Sequence, residues 1–251
     1  MTGETLETTT DTVLGGRVTL RQPADGYRVA IDPILLAASC PARAGEMVAD
    51  LGCGIGTAAL CVARRVVEAT CIGIDLQPDL IALAQANAQA NKLADRARFL
   101  AGDILDAGLP VYAARADHVI VNPPYLKRNA ASVSENPIKA LANVEGEADL
   151  RAWVNAAMRA AKPGGSVTFI HRADRLPELL SLFGPLSGSI AVLPLYPKEN
   201  EPARRVIVSG KAGQRGPARL LPGLVLHQAN GDFTLAAQRI LRDGAALPLT
   251  I

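Results

Sequence analysis

From Met47 onward the chain alternates short apolar runs with longer Ala- and Leu-rich runs, and no other feature restricts its folding so tightly. Met47–Leu51, Thr70–Ile74, Arg98–Ala101, Asp117–Val121, Ser166–His171, Ile190–Leu193 and Arg204–Ser209 have the length and apolar content of strands. Thr57–Val67, Gln77–Asn91, Leu150–Ala161 and Leu176–Phe183 read as helices. In the second of these, Ile81, Leu83, Ala84 and Ala88 share one apolar side. The alternation predicts an α/β fold: a seven-stranded, mostly parallel sheet with helices on both faces. Only a short loop separates the last two strands, which predicts an antiparallel hairpin at one edge of the sheet.

The flanking segments are smaller. Val13–Leu20 (VLGGRVTL) alternates apolar residues around a Gly-Gly pair, as a β-hairpin does. Residues 1–12 lack apolar periodicity and are expected to form a disordered tail. Asp32-Pro33 opens a helical run, with Asp suited to the cap and Pro to the first turn. Near the other end, Leu224–His227 reads as a strand, Asn230-Gly231 as a turn and Thr234–Arg242 as a capped helix ending at Gly244. The expected organisation is one domain over 13–251, with a hairpin and helix (13–45), a core (46–210) and a C-terminal appendage (211–251).

Composition excludes several classes. Cys40, Cys53, Cys61 and Cys71 form no C-x-x-C pair, and His118, His171 and His227 do not stand at metal-ligand spacing from them. Reduced thiols and no metal are expected. No apolar run approaches the roughly 20 residues that span a bilayer, and MTGETLETTT is no secretory leader. The expected setting is therefore cytoplasmic, with no membrane partner. A net charge of +2 does not by itself announce a nucleic-acid binder, so local clusters of charge carry more weight.

The segment DLGCGIG (Asp50–Gly56) lies between a strand and a helix. Gly52, Gly54 and Gly56 let the backbone approach a ligand at the carboxyl edge of the sheet. The pattern is G-x-G-x-G preceded by Asp50, not the G-x-G-x-x-G of dinucleotide enzymes. Asp75 closes the next strand, where a carboxylate can accept both hydroxyls of a ribose; a dinucleotide and S-adenosylmethionine would use it alike. Asp103, after the third strand, can accept from an adenine amino group with help from the backbone of Ile104. Each acid alone reads as a cap or a solvated loop residue. Three at successive strand ends are hard to account for that way.

The fourth strand runs into NPPY (Asn122, Pro123, Pro124, Tyr125). Consecutive prolines hold the backbone extended and end the ladder. The Asn122 side-chain oxygen and the Pro123 carbonyl can both accept from an NH2 group. An exocyclic amine conjugated to a ring is a poor nucleophile; two acceptors bias its lone pair and stabilise the positive charge that develops on it. Tyr125 can stack on a planar substrate.

DLGCGIG, then GIDLQPDLIALAQANAQAN, then FLAGDIL resembles the cofactor site of class I methyltransferases in its usual order. The resemblance implies a Rossmann-like fold and S-adenosylmethionine as cofactor, with S-adenosylhomocysteine as product. It places Asp50, Gly52, Gly54 and Gly56 at the methionine part, Asp75 at the ribose and Asp103 at the adenine, with Cys53, Leu76, Ile104 and Asn122 also lining the cofactor. NPPY at this position resembles the amino-methyltransferases, which modify adenine N6, guanine N2, cytosine N4 or a glutamine amide. LGGRVTLRQPADGYRVAIDPILLAA, LRAWVNAAMRAAKPGG, HRADRLPELL and LVLHQANGDFT are similar to the bacterial valine-tRNA adenine N6-methyltransferase family, which modifies the adenine at position 37. In that family the GYR…ID segment packs over the cofactor, which implies a place for Asp32 near the methionine end.

The basic residues fit an RNA partner, tRNA above all. No Asp or Glu occurs from Pro202 to Gly231, a stretch holding Arg204, Arg205, Lys211, Arg215 and Arg219; Lys127 and Arg128 follow NPPY, and Arg28 stands near the hairpin. Such clusters contact phosphates, or are simply a solvated patch. Lys127, Arg128, Arg204 and Arg205 are the candidate RNA contacts. Rival readings are a ribosomal-RNA adenine or guanine methyltransferase, a protein glutamine methyltransferase and an inactive RNA-binding assembly factor. The glutamine enzymes carry an N-terminal helical domain for which too few residues precede Met47 here, and intact Asn122 and Tyr125 oppose the inactive factor. A nicotinamide oxidoreductase leaves NPPY without a purpose.

Overall fold

The computed structural model describes residues 7–24, 30–125 and 148–249. A hairpin of β1 (Thr8–Val13) and β2 (Val18–Pro23) leads into α1 (Asp32–Ser39). The alternating core follows: β3 (Met47–Leu51), α2 (Thr57–Arg65), β4 (Thr70–Asp75), α3 (Pro78–Ala90), β5 (Ala97–Ala101), α4 (Pro110–Ala114), β6 (Ala116–Val121), α5 (Leu150–Ala160), β7 (Ala161–Arg172), α6 (Leu176–Phe183), β8 (Ser187–Lys198) and β9 (Arg205–Ala212). Two short strands, β10 (Arg219–Leu220) and β11 (Leu224–His227), and α7 (Leu235–Leu241) complete it.

The seven expected strands form one sheet in the order β8-β9-β7-β6-β3-β4-β5. Only β9 runs against the others, inserted antiparallel between β7 and β8. The β8–β9 hairpin is therefore real but does not end the sheet: β10 and β11 both pair parallel with β8 and make nine strands. Strand residues alternate between the two faces. Val48, Ile120, Ile170 and Ile207 pack with α1, α2, α3 and α7, while Ala49, Val119, Phe169 and Val208 pack with α4, α5 and α6. This period-two division produces two aliphatic cores around one sheet.

Several boundaries differ from the sequence reading. The first strand begins at Thr8, inside the stretch expected to be a tail, because TTTDTV is polar yet β-branched and pairs along its whole length with β2. Asp32 does not cap α1; Ile31 occupies that position without a side-chain bond, and the Asp32 carboxylate is drawn to partners elsewhere. Strand β7 starts at Ala161, and its Lys-Pro-Gly-Gly is absorbed in a register shift against β6.

The hairpin and the C-terminal segment belong to the same core. Asn87 on α3 and Asn91 just past its end, both buried, act as a substitute strand for β2. Asn87 Oδ1 accepts from the Arg21 N–H (2.7 Å) and its Nδ2 donates to the Arg21 carbonyl (3.1 Å), while Asn91 makes the same pair with Thr19 at 2.9 and 2.6 Å. At the hairpin tip, Arg17 donates to the carbonyl of Arg242 just past α7 (2.7 Å). Leu247 N–H reaches the Ala38 carbonyl in α1 (2.9 Å), closing the appendage onto the N-terminal helix.

Candidate active site

Because every main-sheet strand except β9 points the same way, the ends of β3, β4, β5, β6 and β7 share one edge, and the start of β9 joins them there. The sequence-predicted residues from the glycine loop through NPPY gather along this edge. The loop after β3 turns through left-handed glycines at Gly52 (φ 73°), Gly54 (φ 54°) and Gly56 (φ 85°). A Cβ at Gly52 would lie 2.8 Å from the Trp153 ring, and one at Gly56 would lie 2.7 Å from Phe99, so both positions exclude a side chain twice over. A Cβ at Gly54 would meet nothing within 4 Å, so the space on that side of the loop is open.

Asp50 is buried at the end of β3, and its Oδ2 accepts from the Ala59 N–H in the first turn of α2 (3.1 Å). Burial, with the nearby charge of Asp75 adding to it, pushes its carboxyl up to about 7. Asp75 accepts from the N–H groups of Gly54 (2.8 Å) and Gln77 (3.0 Å). Burial raises its pKa too, against those backbone bonds. Two bonds leave lone pairs on the carboxylate for a diol. Leu76 beside it is 57% exposed, an apolar surface left uncovered next to an acceptor. Asp103 holds its own turn through the Leu105 N–H (2.9 Å), and Ile104 is buried with its carbonyl accepting from the Tyr112 hydroxyl (2.5 Å). Cys53 is buried, and its thiol is pushed up by burial first and then by Asp50 and Asp75, so it remains a neutral wall of the loop. An open glycine backbone, acceptors at two neighbouring strand ends and an exposed leucine between them suit an adenosine-bearing ligand.

NPPY leaves β6 in the same edge, with all peptides trans among the described residues. The Tyr125 hydroxyl lies 2.7 Å from Asn122 Oδ1 and 2.5 Å from Asp32 Oδ2. Arg205, at the start of β9, donates from Nε to the same Asp32 oxygen (3.0 Å) and lays its guanidinium 4.6 Å from the Tyr125 ring centre. His171, at the end of β7, places its ring centre 5.4 Å from that of Tyr125.

Sequence reasoning did not single out Trp153, His171 or the stacking of Arg205 on Tyr125. His171 is fully buried; its Nδ1 accepts from the Arg172 N–H (2.7 Å), and its Nε2 has no partner among the described residues. Burial, reinforced by the Arg175 charge, holds its pKa down at about 4, so the ring is neutral near pH 7. Asn87 also escaped notice, though its Nδ2 donates to the Ile55 carbonyl inside the glycine loop (3.1 Å) and so ties the hairpin to the site. Its one-turn spacing from Asn91 on a buried helix face was the available signal.

The basic cluster does not stay together. Arg204 and Arg205 stand at the site edge, but β9 runs away from it and carries Lys211 to the opposite edge, opposite Ser166. Arg204 is exposed and only loosely paired with Glu201 (3.7 Å), whereas Arg205 is about two-thirds covered. Arg28, Lys127 and Arg128 lie outside the described residues. Among the described residues no three His, Cys, Asp or Glu side chains assemble as a metal site, and no helix is long and apolar enough to cross a membrane.

A parallel sheet with one inserted antiparallel strand, a glycine loop after its central strand and acids after the next two defines an α/β protein that binds an adenosine-bearing cofactor at the carboxyl edge. Residues 42–182 match the family of methyltransferase domains, and the chain belongs to that family. It is 29% identical over 219 residues to a tRNA1(Val) (adenine(37)-N6)-methyltransferase of Actinobacillus pleuropneumoniae, covering 86% of this chain and 89% of that protein. A protein of the same description from Porphyromonas gingivalis is 31% identical over 173 residues, covering 65% and 66%. A solved structure described as a predicted O-methyltransferase from Agrobacterium tumefaciens superposes with a TM-score of 0.71, at 22% identity over 88% of this chain and all of that one, a likeness of fold.

Proposed function

We propose that this methyltransferase moves a methyl group from S-adenosylmethionine to the N6 amine of an adenine in RNA, with position 37 of a valine tRNA as the target. The observation that carries the reading is the meeting of Asn122 and Tyr125 with the glycine loop and its acids at one sheet edge. When bound, the cofactor would supply the methyl group from its sulfonium and leave as the neutral thioether S-adenosylhomocysteine, and the methylated nitrogen would then release its extra proton to solvent. Asp75 would accept from the ribose hydroxyls and Asp103 from the adenine amino group, and Gly54, which has no side chain, would leave room for the methionine part beside Asp50. Asn122 Oδ1 and the Pro123 carbonyl accept from the two protons of the target amine and orient its lone pair. As the nitrogen becomes positive these acceptors strengthen their hold, which lowers the barrier more than it tightens substrate binding. Tyr125 stacks on the flipped adenine. Exposed Arg204 lies at the rim, where it contacts RNA phosphate. A tRNA substrate is in keeping with a cytoplasmic protein.

The relatives described as tRNA adenine-N6 enzymes over most of this chain support adenine over guanine or glutamine. Asn122→Ala is expected to keep cofactor affinity, by calorimetry, while turnover falls on the order of 10²-fold. Turnover near that of the wild type would remove Asn122 from the chemistry.

A further inference from the structure

Arg205 was expected at the rim as an RNA contact, yet its guanidinium is committed inward. Nε donates to Asp32 Oδ2 (3.0 Å), Nη1 to the carbonyl of Arg204 (3.2 Å), and the flat group covers the Tyr125 ring at 4.6 Å. Asp32 is buried at the first turn of α1, so its carboxylate is anchored by a helix on one face of the sheet. The phenol has one proton and two acceptors in reach, Asp32 Oδ2 at 2.5 Å and Asn122 Oδ1 at 2.7 Å. A carboxylate is the stronger acceptor. With the proton drawn to Asp32, Asn122 Oδ1 is no longer needed as the acceptor of the phenol and can accept from a target amine. The ring is meanwhile pinned at its hydroxyl and by the guanidinium laid against it, which fixes the plane that a base would meet.

We infer that Asp32 and Arg205 are positioning residues for methyl transfer: the pair fixes the Tyr125 ring and frees Asn122, and Arg205 does not serve as a phosphate contact. This rests on the amino-methyltransferase reading of the site. The test is single-turnover methyl transfer at saturating cofactor and RNA for Arg205→Ala, Arg205→Lys and Asp32→Asn, alongside RNA affinity measured across a salt series. The expected result for Arg205→Ala is a rate lowered roughly tenfold to 100-fold, the scale of a misplaced reacting group, with RNA affinity and its salt slope unchanged. Arg205→Lys keeps the charge but not the flat fork, so it should recover only part of the rate. Asp32→Asn should slow the same step.

An Arg205→Ala protein with full single-turnover rate but weaker RNA binding and a salt slope smaller by about one would overturn the inference and return Arg205 to the phosphate contacts. Should that variant fail to fold, Arg205→Lys decides alone: a slowed rate at unchanged RNA affinity supports the pair, and a wild-type rate sinks it. A wild-type protein that methylates no RNA defeats the functional reading and the inference together, whereas an active wild type beside an unimpaired variant defeats the inference only.

Discussion

Two carboxylates at neighbouring strand ends show how differently one residue type can be used. Asp75 accepts from the Gly54 and Gln77 N–H groups and has an exposed neighbour, while Asp50 is buried, accepts from the Ala59 N–H and has a carboxyl raised to about 7. The sign of the linkage follows. In the fold Asp50 holds its proton well above its ordinary value of 3.8, so its stabilising contribution is complete below that value and is lost as the pH rises through about 7. At pH 8 the ligand-free protein carries a buried carboxylate. Asp50→Asn should therefore raise the melting temperature of the ligand-free protein by about 3 °C or more at pH 8, and by much less at pH 4. Equal gains at both values, or a loss at pH 8, in thermal melts followed by circular dichroism would contradict this. A group that destabilises the empty fold at working pH is the kind of residue a binding site retains. At this scale Asp50, Asp75, Asp103 and NPPY were legible because each occupies a fixed place in a strand–turn–helix pattern. His171 was not, because only the sheet order brings the end of β7 beside Tyr125. The partners of Asp32 were hidden for the same reason, since Tyr125 and Arg205 reach it from distant parts of the chain.

Among the elements, the β1–β2 hairpin is the one whose docking depends most on single side chains. Its second strand is satisfied along its outer edge by Asn87 and Asn91, and Asn87 reaches onward to the glycine loop. Asn87→Ala orphans the Arg21 N–H and carbonyl and the Ile55 carbonyl together. A loss of about 2–4 kcal/mol in urea unfolding is expected from such groups, with faster hydrogen exchange at the Arg21 amide. A loss below about 0.5 kcal/mol would mean the hairpin is held by its apolar contacts alone. The core strands and helices were readable from their periodicity, and Thr234 caps α7 as its residue type suggests. The hairpin's first strand was less readable: TTTDTV has no apolar alternation, and its strand character appears only once β2 pairs with it. Strand β7 begins before the expected Ser166 because Pro163-Gly164-Gly165, which as a breaker signal reads equally as a loop, is taken up in an irregularity of the strand.

Across the whole molecule, the antiparallel insertion of β9 decides which charges stand at the carboxyl edge of the sheet. Read along the chain, the acid-free stretch after Pro202 is one basic patch; in the sheet, β9 delivers Arg204 and Arg205 to the site edge and carries Lys211 to the far side. The parallel sheet itself was legible, but the division of that patch depends on strand direction, which a charge count does not contain. The inserted strand also places Arg205 over Tyr125, so the sheet topology and the site chemistry are joined through one residue. The central claim is methyl transfer to the amine of adenine in RNA. Its most direct test is incubation with labelled S-adenosylmethionine and tRNA lacking the modification, followed by digestion to nucleosides and mass spectrometry. New N6-methyladenosine, mapped to the anticodon loop of a valine tRNA, is the expected result. Label in methylguanosine or in protein glutamine, or none in adenosine despite measurable cofactor binding, would contradict it.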